Sequence, residues 1–173
     1  QPLRDLLRRT FLDGRSSTGT ELSFEIVGGL LDKSLLSLFE GLPVRLLPVP
    51  DSDVEYPRFV SWMKRNLDWD LAIAPLVEDS FTRCKSDIKF LDYAGLGVPG
   101  IYSKVTAYRD TIVHLQTGFL AENHSQGWAN AFSEMIEDGY LRERIATAAS
   151  SHVATERTLD VCATRWRDAL LNL

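Results

Sequence analysis

The residues from Cys84 to Pro99 carry the side chains best suited to chemistry: C-K-S-D-I-K-F-L-D-Y-A-G-L-G-V-P. The apolar spacing in this segment predicts a helix over residues 86–96, with Ser86 as its N-cap. Lys85 and Lys89 then lie at the N-terminal end of the helix, where backbone N–H groups lack intrahelical partners. A small anion would satisfy both ammonium groups and these N–H groups together. The segment therefore predicts a site for a phosphate or a pyrophosphate.

Asp92 extends the same side of the helix by one turn, roughly 5 Å along the axis from Lys89. A carboxylate at that position can accept hydrogen bonds from two vicinal hydroxyls, such as those of a ribose. Ile88, Leu91 and Gly95 fall on the opposite side, which we expect to face a sheet. The spacing also fits a solvated helix face in which Lys89 and Asp92 form an ordinary i,i+3 ion pair. The position after a predicted strand favours the anion site.

The sequence predicts short apolar strands that alternate with amphipathic helices. These elements position the segment from Cys84 to Pro99. Strands are predicted at residues 22–27, 44–49, 71–74, 99–102 and 118–121. Helices are predicted at residues 3–11, 33–40, 56–66, 86–96, 125–137, 139–151 and 155–171, with a polar loop at 13–20. The strands are continuous apolar runs, which is typical of a parallel sheet covered on both faces. The predicted fold class is α/β.

Ligands of such folds bind at the carboxyl ends of the strands. Residues 48–56, 75–86 and 103–111 follow strands and are expected there. No repeat or linker divides the sequence, so we expect one domain over residues 1–173. A doubly wound unit normally begins with a strand, whereas this sequence begins with a predicted helix and lacks an initiator Met. We therefore expect a fragment whose first strand lies upstream of Gln1.

The composition argues against several classes of function. The chain has 19 basic and 24 acidic residues, a net charge of −5 and a pI near 5.2, which disfavours a broad nucleic-acid surface. Its cysteines and histidines do not have the spacing of a disulfide framework or a zinc site: Cys84, Cys162, His114, His124 and His152. No apolar run approaches the ~18 residues of a membrane span, and no signal-peptide core is visible. We expect a cytoplasmic protein.

The segment resembles the nucleotide-sugar-binding domain of GT-B-type glycosyltransferases, in the retaining family-4-like group. Members carry a Glu-x7-Glu signature whose second Glu opens a phrase like E-A-M-A-x-G-x-P-V. The matching phrase here is L-D-Y-A-G-L-G-V-P-G, with Asp92 at the second acidic position. A bacterial subgroup shows A-P-L, a Phe and then K-S-x-x-K-x-x-E-Y-A-x-x-G-x-P. This chain has the same order: Ala74-Pro75-Leu76, Phe81, Lys85-Ser86, Lys89, Asp92-Tyr93-Ala94, Gly97 and Pro99.

Elements further along the chain extend the resemblance to about residues 22–171. They are Y-R-D-T-I at residues 108–112, T-G-F-L at 117–120, and Trp128. The resemblance implies a Rossmann-like, doubly wound α/β/α domain that forms the C-terminal half of a GT-B enzyme. The intact bacterial enzyme would move a hexose-type sugar from a nucleoside diphosphate to a glycan or lipid-linked acceptor in surface polysaccharide synthesis. It would need no tightly bound cofactor or metal, and the full-length protein would associate peripherally with a membrane.

The resemblance also implies roles for individual residues. Asp92 would bind the ribose hydroxyls of the donor. The backbone from Lys85 through Asp87 to Ile88, together with Ser86 and Lys89, would hold the diphosphate. Residues 50–54 would lie near the base. In the last helix, Trp166 would pack against the enzyme's own N-terminal domain. No catalytic residue is assigned.

The sequence departs from the family in three ways. Cys84 occupies the first acidic position of Glu-x7-Glu, whose Glu contacts the transferred sugar in the family. The phosphate-binding Arg/Lys pair of the family is not recognisable, and Arg15 is only a weak counterpart. The N-terminal acceptor domain is absent, so we expect this chain alone not to transfer sugar. These departures leave a second hypothesis open, a noncatalytic nucleotide-binding or protein-interaction module built on the same fold.

Overall fold

The computed structural model describes residues 22–28 and 39–172, which form two compact α/β units. The first contains the described residues within Gln1–Asp68 and Glu122–Glu137. The second contains those within Trp69–Ala121 and Asp138–Leu173. The predicted elements at residues 3–11 and 13–20 lie outside the described residues, as do Arg15, Leu173 and most of the predicted helix at 33–40.

The first unit is built on two parallel strands, β1 (Phe24–Val27) and β2 (Val44–Leu47). Phe24 pairs with Val44 at one end, and Glu25 and Arg45 face each other and form an ion pair. The described residues of this unit also form two α-helices, α1 (Arg58–Asn66), which buries Trp62 and Met63, and α4 (Ser125–Glu137). The buried side of α4 consists of aromatic and apolar residues at helical spacing: Trp128, Ala131, Phe132 and Met135.

The second unit contains a three-stranded parallel sheet in the order β3–β4–β5. The strands are β3 (Ala72–Ala74), β4 (Gly100–Ser103) and β5 (Phe119–Ala121). The central strand β4 is buried along its whole length, as its apolar sequence predicts. Helix α2 (Ile88–Leu96) connects β3 to β4, and the short helix α3 (Thr106–Arg109) lies between β4 and β5. The parallel α/β fold class predicted from the sequence is therefore confirmed.

Tyr102 on β4 lies at the centre of the core of this unit. It is 1% exposed, and its ring lies 6.1 Å from that of Phe90, 6.0 Å from that of Tyr93 and 5.2 Å from that of Tyr108. A Cβ at Gly100 would lie 2.3 Å from the Tyr102 hydroxyl oxygen, so only glycine leaves room for this ring. The aromatic residues of α2 are thus packed on the middle strand.

Two helices complete the second unit, α5 (Gly139–Glu156) and α6 (Leu159–Leu171). Helix α5 runs antiparallel to α2, because its later residues contact earlier residues of α2. The Ser150 hydroxyl donates to the Ala94 carbonyl at 2.7 Å, and the His152 ring lies 6.0 Å from that of Phe90. The C-terminal end of α5 therefore lies beside the N-terminal end of α2.

Three expectations about the helices are corrected. Helix α2 begins at Ile88 with Asp87 as its N-cap, so Ser86 is not the cap. Its buried side consists of Phe90, Asp92, Tyr93 and Ala94, whereas Ile88 and Gly95 are exposed and Leu91 is half-buried. The two large aromatic rings remove more apolar surface from water than Ile88 and Gly95 would, and they determine which side packs.

The third correction concerns the end of the chain, where the predicted helices at 139–151 and 155–171 have different bounds. Helix α5 continues to Glu156, and the chain turns at Arg157 and Thr158. The Thr158 hydroxyl accepts a hydrogen bond from the Val161 N–H and so begins α6. Several large apolar residues of α6 are exposed: Leu159 89%, Trp166 71% and Leu170 64%.

Candidate functional site

The segment between β3 and α2 starts at the carboxyl end of β3 and is fixed to the carboxyl end of β4. The Leu76 N–H donates to the Ser103 hydroxyl at 2.8 Å, and Ser103 is fully buried. Ser103 is the last residue of β4. The hydrogen bond therefore ties the start of this segment to the neighbouring strand at the edge of the sheet where parallel α/β folds bind ligands.

Glu78 makes a second connection, which joins the segment to the start of α3. Its carboxylate accepts hydrogen bonds from the Thr106 N–H at 3.0 Å and the Thr106 hydroxyl at 2.7 Å, and from Arg83 Nε at 3.2 Å. The Thr106 hydrogen bonds, assisted by Arg83, lower the pKa of the Glu78 carboxyl. The ionised carboxylate is therefore the form that holds the segment against the start of α3.

Asp79 and Thr82 close the turn that leads to Lys85. The Thr82 N–H donates to the Asp79 carboxylate at 2.7 Å, and the Asp79 N–H donates to the Thr82 hydroxyl at 2.9 Å. The buried Thr82 hydroxyl in turn donates to the Val77 carbonyl. The hydrogen bond from the Thr82 N–H is the main reason that the pKa of Asp79 is lowered. A 3-10 turn at Thr82–Cys84 follows, and the Lys85 N–H donates to the Thr82 carbonyl at 3.1 Å.

The two lysines of the predicted anion site both lie at the N-terminal end of α2. Lys85 is exposed, and its ammonium lies 5.1 Å from the centre of the exposed Phe81 ring, in cation–π range. Lys89 is the second residue of α2, in its first turn, and its side chain is 44% exposed. Ser86 is exposed between Lys85 and Asp87, and Ile88 opens the helix. The residues predicted to hold the diphosphate therefore form one continuous stretch that leads into the first turn of α2.

Asp87 has a different environment from its neighbours. It is 7% exposed, and its carboxylate makes no cap hydrogen bond to the first turn of α2. Both of its oxygens accept from the Arg157 guanidinium, at 2.8 and 3.0 Å. These hydrogen bonds raise the pKa of Arg157, which is charged at any ordinary pH. At the predicted site Asp87 therefore offers its backbone, while its side chain is engaged elsewhere.

Asp92 and Lys89 form an i,i+3 ion pair, which the alternative interpretation of their spacing predicts. The Lys89 ammonium lies 3.2 Å from an Asp92 carboxylate oxygen. The Asp92 side chain is only 2% exposed. A ribose can therefore reach this carboxylate only after a local rearrangement of the surrounding side chains.

Tyr93 fixes α2 to the sheet behind the site. Its hydroxyl donates to the Ile73 carbonyl at 2.8 Å, and Ile73 is the middle residue of β3. Burial raises the pKa of Tyr93 above the ordinary tyrosine value of 10 and does the same for Tyr102. Both hydroxyls are neutral at ordinary pH and serve as hydrogen-bonding, not charged, groups.

The remaining candidate residues do not assemble into a second centre. Cys84 is an exposed free thiol whose sulfur lies 3.6 Å from the Ser80 carbonyl oxygen. The Nδ1 atom of His114 accepts from the Leu120 N–H at 3.1 Å, a local structural role. Among residues 22–28 and 39–172, no group of His, Cys, Asp and Glu has the arrangement of a metal site. The same ranges contain no helix long and apolar enough to cross a membrane.

Residues 50–54, which the resemblance places near the base, follow β2 in the first unit. Asp51–Asp53 form a 3-10 turn in which the Asp53 N–H donates to the Pro50 carbonyl at 2.8 Å. Val54 beyond it is 56% exposed. The prediction that this segment lies near a base stays a prediction.

A groove of about 580 Å³ occurs at the other end of the strands in the second unit. Asp70 and Pro99, which precede β3 and β4, line it with Gly97 and with Arg142 and Glu143 of α5. Because it lies at the amino ends of the strands, this groove does not include the predicted anion site. Binding of a ligand in this groove is the alternative to binding at the N-terminal end of α2.

Arg157 lies near the site and was not predicted from the sequence. It contacts Asp87 across 70 positions of sequence, and no local pattern links the two. The only available signal was the Thr158 N-cap, which marks a break after Arg157 within the helix predicted for residues 155–171. Ser103 and Glu78 were missed for the same reason, since both act through contacts 27 or 28 residues away.

No protein-family model matches this chain, and no curated protein sequence does. Its fold is similar to a crystal structure at 1.35 Å, the C-terminal domain of the glycosyl transferase group 1 family protein LpcC from Francisella tularensis. The TM-score is 0.53 at 20% sequence identity, and the match covers 73% of this chain and 60% of the other. This likeness confirms the Rossmann-like α/β fold of a GT-B C-terminal domain.

Proposed function

We propose that this chain binds the nucleoside-diphosphate sugar donor of a glycosyltransferase, with the diphosphate at the N-terminal end of α2. The observation that carries the proposal is the position of two lysines at the beginning of this helix, Lys85 three residues before Ile88 and Lys89 one residue after it. Both lysines are open to solvent, and the helix begins directly after a segment fixed to the carboxyl ends of β3 and β4. The fold likeness to a glycosyl transferase C-terminal domain supports the same assignment.

The chemistry of sugar transfer explains why such a site would be useful. The bond between the sugar and the diphosphate breaks, and negative charge develops on the departing phosphate oxygen. Once the donor is bound, two ammonium groups and the positive end of a helix dipole would stabilise that charge. The hydrogen bonds of Glu78, Asp79 and Thr82 hold the segment that carries Lys85, so its backbone is already in place.

The ribose contact proposed for Asp92 requires one additional step. Because the carboxylate is buried against Lys89, donor binding must move the Lys89 ammonium towards the diphosphate and open the carboxylate to the ribose hydroxyls. Lys89 would then exchange one anionic partner for another. The Lys89 charge stays paired in this exchange, and the ribose hydroxyls donate hydrogen bonds to the Asp92 carboxylate, which lowers the free-energy cost of separating the pair.

Transfer of the sugar would take place in the intact two-domain enzyme, with a glycan or a lipid-linked molecule as the acceptor. The alternative is a noncatalytic module that binds nucleotide and has lost the transfer reaction. Cys84 favours this alternative, because a thiol stands where the resembling family places a sugar-contacting carboxylate. Release of nucleoside diphosphate from a hexose donor by the full-length protein separates the two candidates.

Calorimetric titration of the chain with UDP, GDP, dTDP and CMP tests the binding proposal. We expect one nucleoside diphosphate to bind preferentially. We expect Lys85→Met and Lys89→Met each to weaken that binding by roughly tenfold, since each removes one charge contact with the phosphates. Lys64→Met is the matched control, because Lys64 is an exposed lysine on α1 in the other unit. Equal losses in all three variants, or no binding of any nucleotide, would overturn the proposal.

A further inference from the structure

We propose that Arg157 is a positioning residue that makes the N-terminal end of α2 able to accept an anion. It acts by cancelling the charge of Asp87. The inference rests on the proposed function, because it concerns the same diphosphate site. The Asp87–Arg157 ion pair is the observation that carries it.

The position of Asp87 creates an electrostatic problem for any anion bound at α2. Asp87 is the N-cap, immediately before Ile88 and Lys89, and its backbone belongs to the predicted diphosphate site. An uncompensated carboxylate there would repel a phosphate at short range. It would also oppose the attraction of the two lysines, because Coulomb energies at a few ångströms are large in partly buried sites.

The antiparallel packing of α5 on α2 adds to the same problem. The C-terminal end of a helix carries partial negative charge on its last carbonyl groups. The end of α5 lies beside the beginning of α2, since His152 and Arg157 contact Phe90 and Asp87 respectively. The fold therefore places a carboxylate and a negative helix end next to a site that has to hold a diphosphate.

Arg157 places its positive charge next to both sources of negative charge, the Asp87 carboxylate and the C-terminal end of α5. It is the C-cap residue of α5, and its guanidinium binds both oxygens of Asp87. The bidentate geometry directs the Asp87 carboxylate towards α5 and leaves it without a cap hydrogen bond to α2. The side chains of Arg157 and Asp87 are 25% and 9% exposed, so solvent screens the pair only weakly.

The inference predicts opposite effects from the two partners of one ion pair. Arg157→Gln leaves the carboxylate uncompensated, and we expect nucleoside diphosphate to bind roughly tenfold more weakly. Asp87→Asn leaves the arginine charge in place, and we expect roughly threefold tighter binding. The double variant Asp87→Asn/Arg157→Gln removes both charges and should bind within about twofold of the unmodified chain. If the ion pair served only to stabilise the fold, both single variants would bind nucleotide more weakly. Either substitution would disrupt the packing between the beginning of α2 and the end of α5.

The test is calorimetric titration of these variants with the nucleoside diphosphate that the unmodified chain prefers, with melting temperatures measured alongside. Arg157→Lys, which keeps the charge and loses the bidentate geometry, should recover most of the affinity while remaining less stable. Arg167→Gln is the control, since Arg167 lies on α6 in an exposed pair with Asp168. Weaker binding in Asp87→Asn, or unchanged binding in Arg157→Gln, would overturn this inference and leave the proposed function standing. No binding to the unmodified chain would overturn both.

Discussion

The ammonium group of Lys89 lies 3.2 Å from the carboxylate of Asp92, and the two side chains differ sharply in exposure, 44% against 2%. The lysine is therefore available to a ligand in solution while the aspartate is not. This difference gives the proposed donor binding an order of events. The diphosphate would meet Lys89 first, and the ribose would meet Asp92 only once the pair has separated.

The first prediction concerns recognition of the ribose. Asp92→Asn keeps the shape of the side chain and removes its charge, so it should reduce the preference for a ribonucleoside diphosphate over its 2′-deoxy analogue. In the unmodified chain we expect a preference of roughly tenfold. This corresponds to about 1.4 kcal/mol, the free energy expected for one charge-assisted hydrogen bond. Parallel titrations with UDP and dUDP measure it. If the preference is the same in both proteins, Asp92 does not contact the ribose.

The second prediction concerns the alkaline limit of stability. Burial raises the pKa of Tyr93 in the folded protein above its unfolded value near 10. Above pH 10 the unfolded chain loses this proton while the folded chain retains it, so the free energy of unfolding should fall as pH rises. Tyr93→Phe should make this fall shallower, with a residual slope from Tyr102, whose pKa is also raised.

Urea unfolding between pH 8 and 11 measures both slopes. Tyr93→Phe should also lower stability at pH 8 by about 1 kcal/mol, because the Ile73 carbonyl loses its hydrogen bond from the tyrosine hydroxyl. Identical pH dependence in the two proteins would show that Tyr93 ionises as readily in the folded chain as in the unfolded one.

The third prediction compares two glycines in the second unit. A Cβ at Gly100 would lie 2.3 Å from the hydroxyl oxygen of the buried Tyr102, so Gly100→Ala should destabilise the protein by about 2–3 kcal/mol. Gly95 lies on the exposed side of α2 with open space around it. Gly95→Ala should therefore stabilise the protein by about 0.5–1 kcal/mol through helix propensity. Urea unfolding of both variants checks the opposite signs, and equal effects would contradict the packing described for Tyr102.

The parallel α/β fold was predictable because its strands are short apolar runs between amphipathic helices. The strand bounds agree with the structure to within two residues; β3, for example, is Ala72–Ala74 where residues 71–74 were predicted. The buried side of α2 was predicted wrongly, because the spacing put Lys89 and Asp92 on one side of the helix and left Ile88 and Gly95 on the side expected to face the sheet. The bulk of Phe90 and Tyr93 decided the packing, and it buried Asp92 with them.

At the candidate site, only the contacts between residues close in sequence could be predicted. Lys89 and Asp92 are both in α2, where i,i+3 spacing places them near one another, and Lys85 is only three residues before the helix. The ion pair of Asp87 with Arg157 depends on how α5 packs on α2, and no spacing rule contains that information. The same holds for Ser103, whose hydroxyl fixes Leu76 from a different strand.

The location of the bound diphosphate tests the central claim most directly. Amide chemical shifts of the isotope-labelled chain, followed by NMR during titration with the preferred nucleoside diphosphate, report that location without any mutation. We predict that the largest changes fall on the backbone amides of residues 85–89, at the beginning of α2. Changes concentrated instead on Asp70, Gly97 and Arg142, around the groove at the amino ends of the strands, would contradict the account.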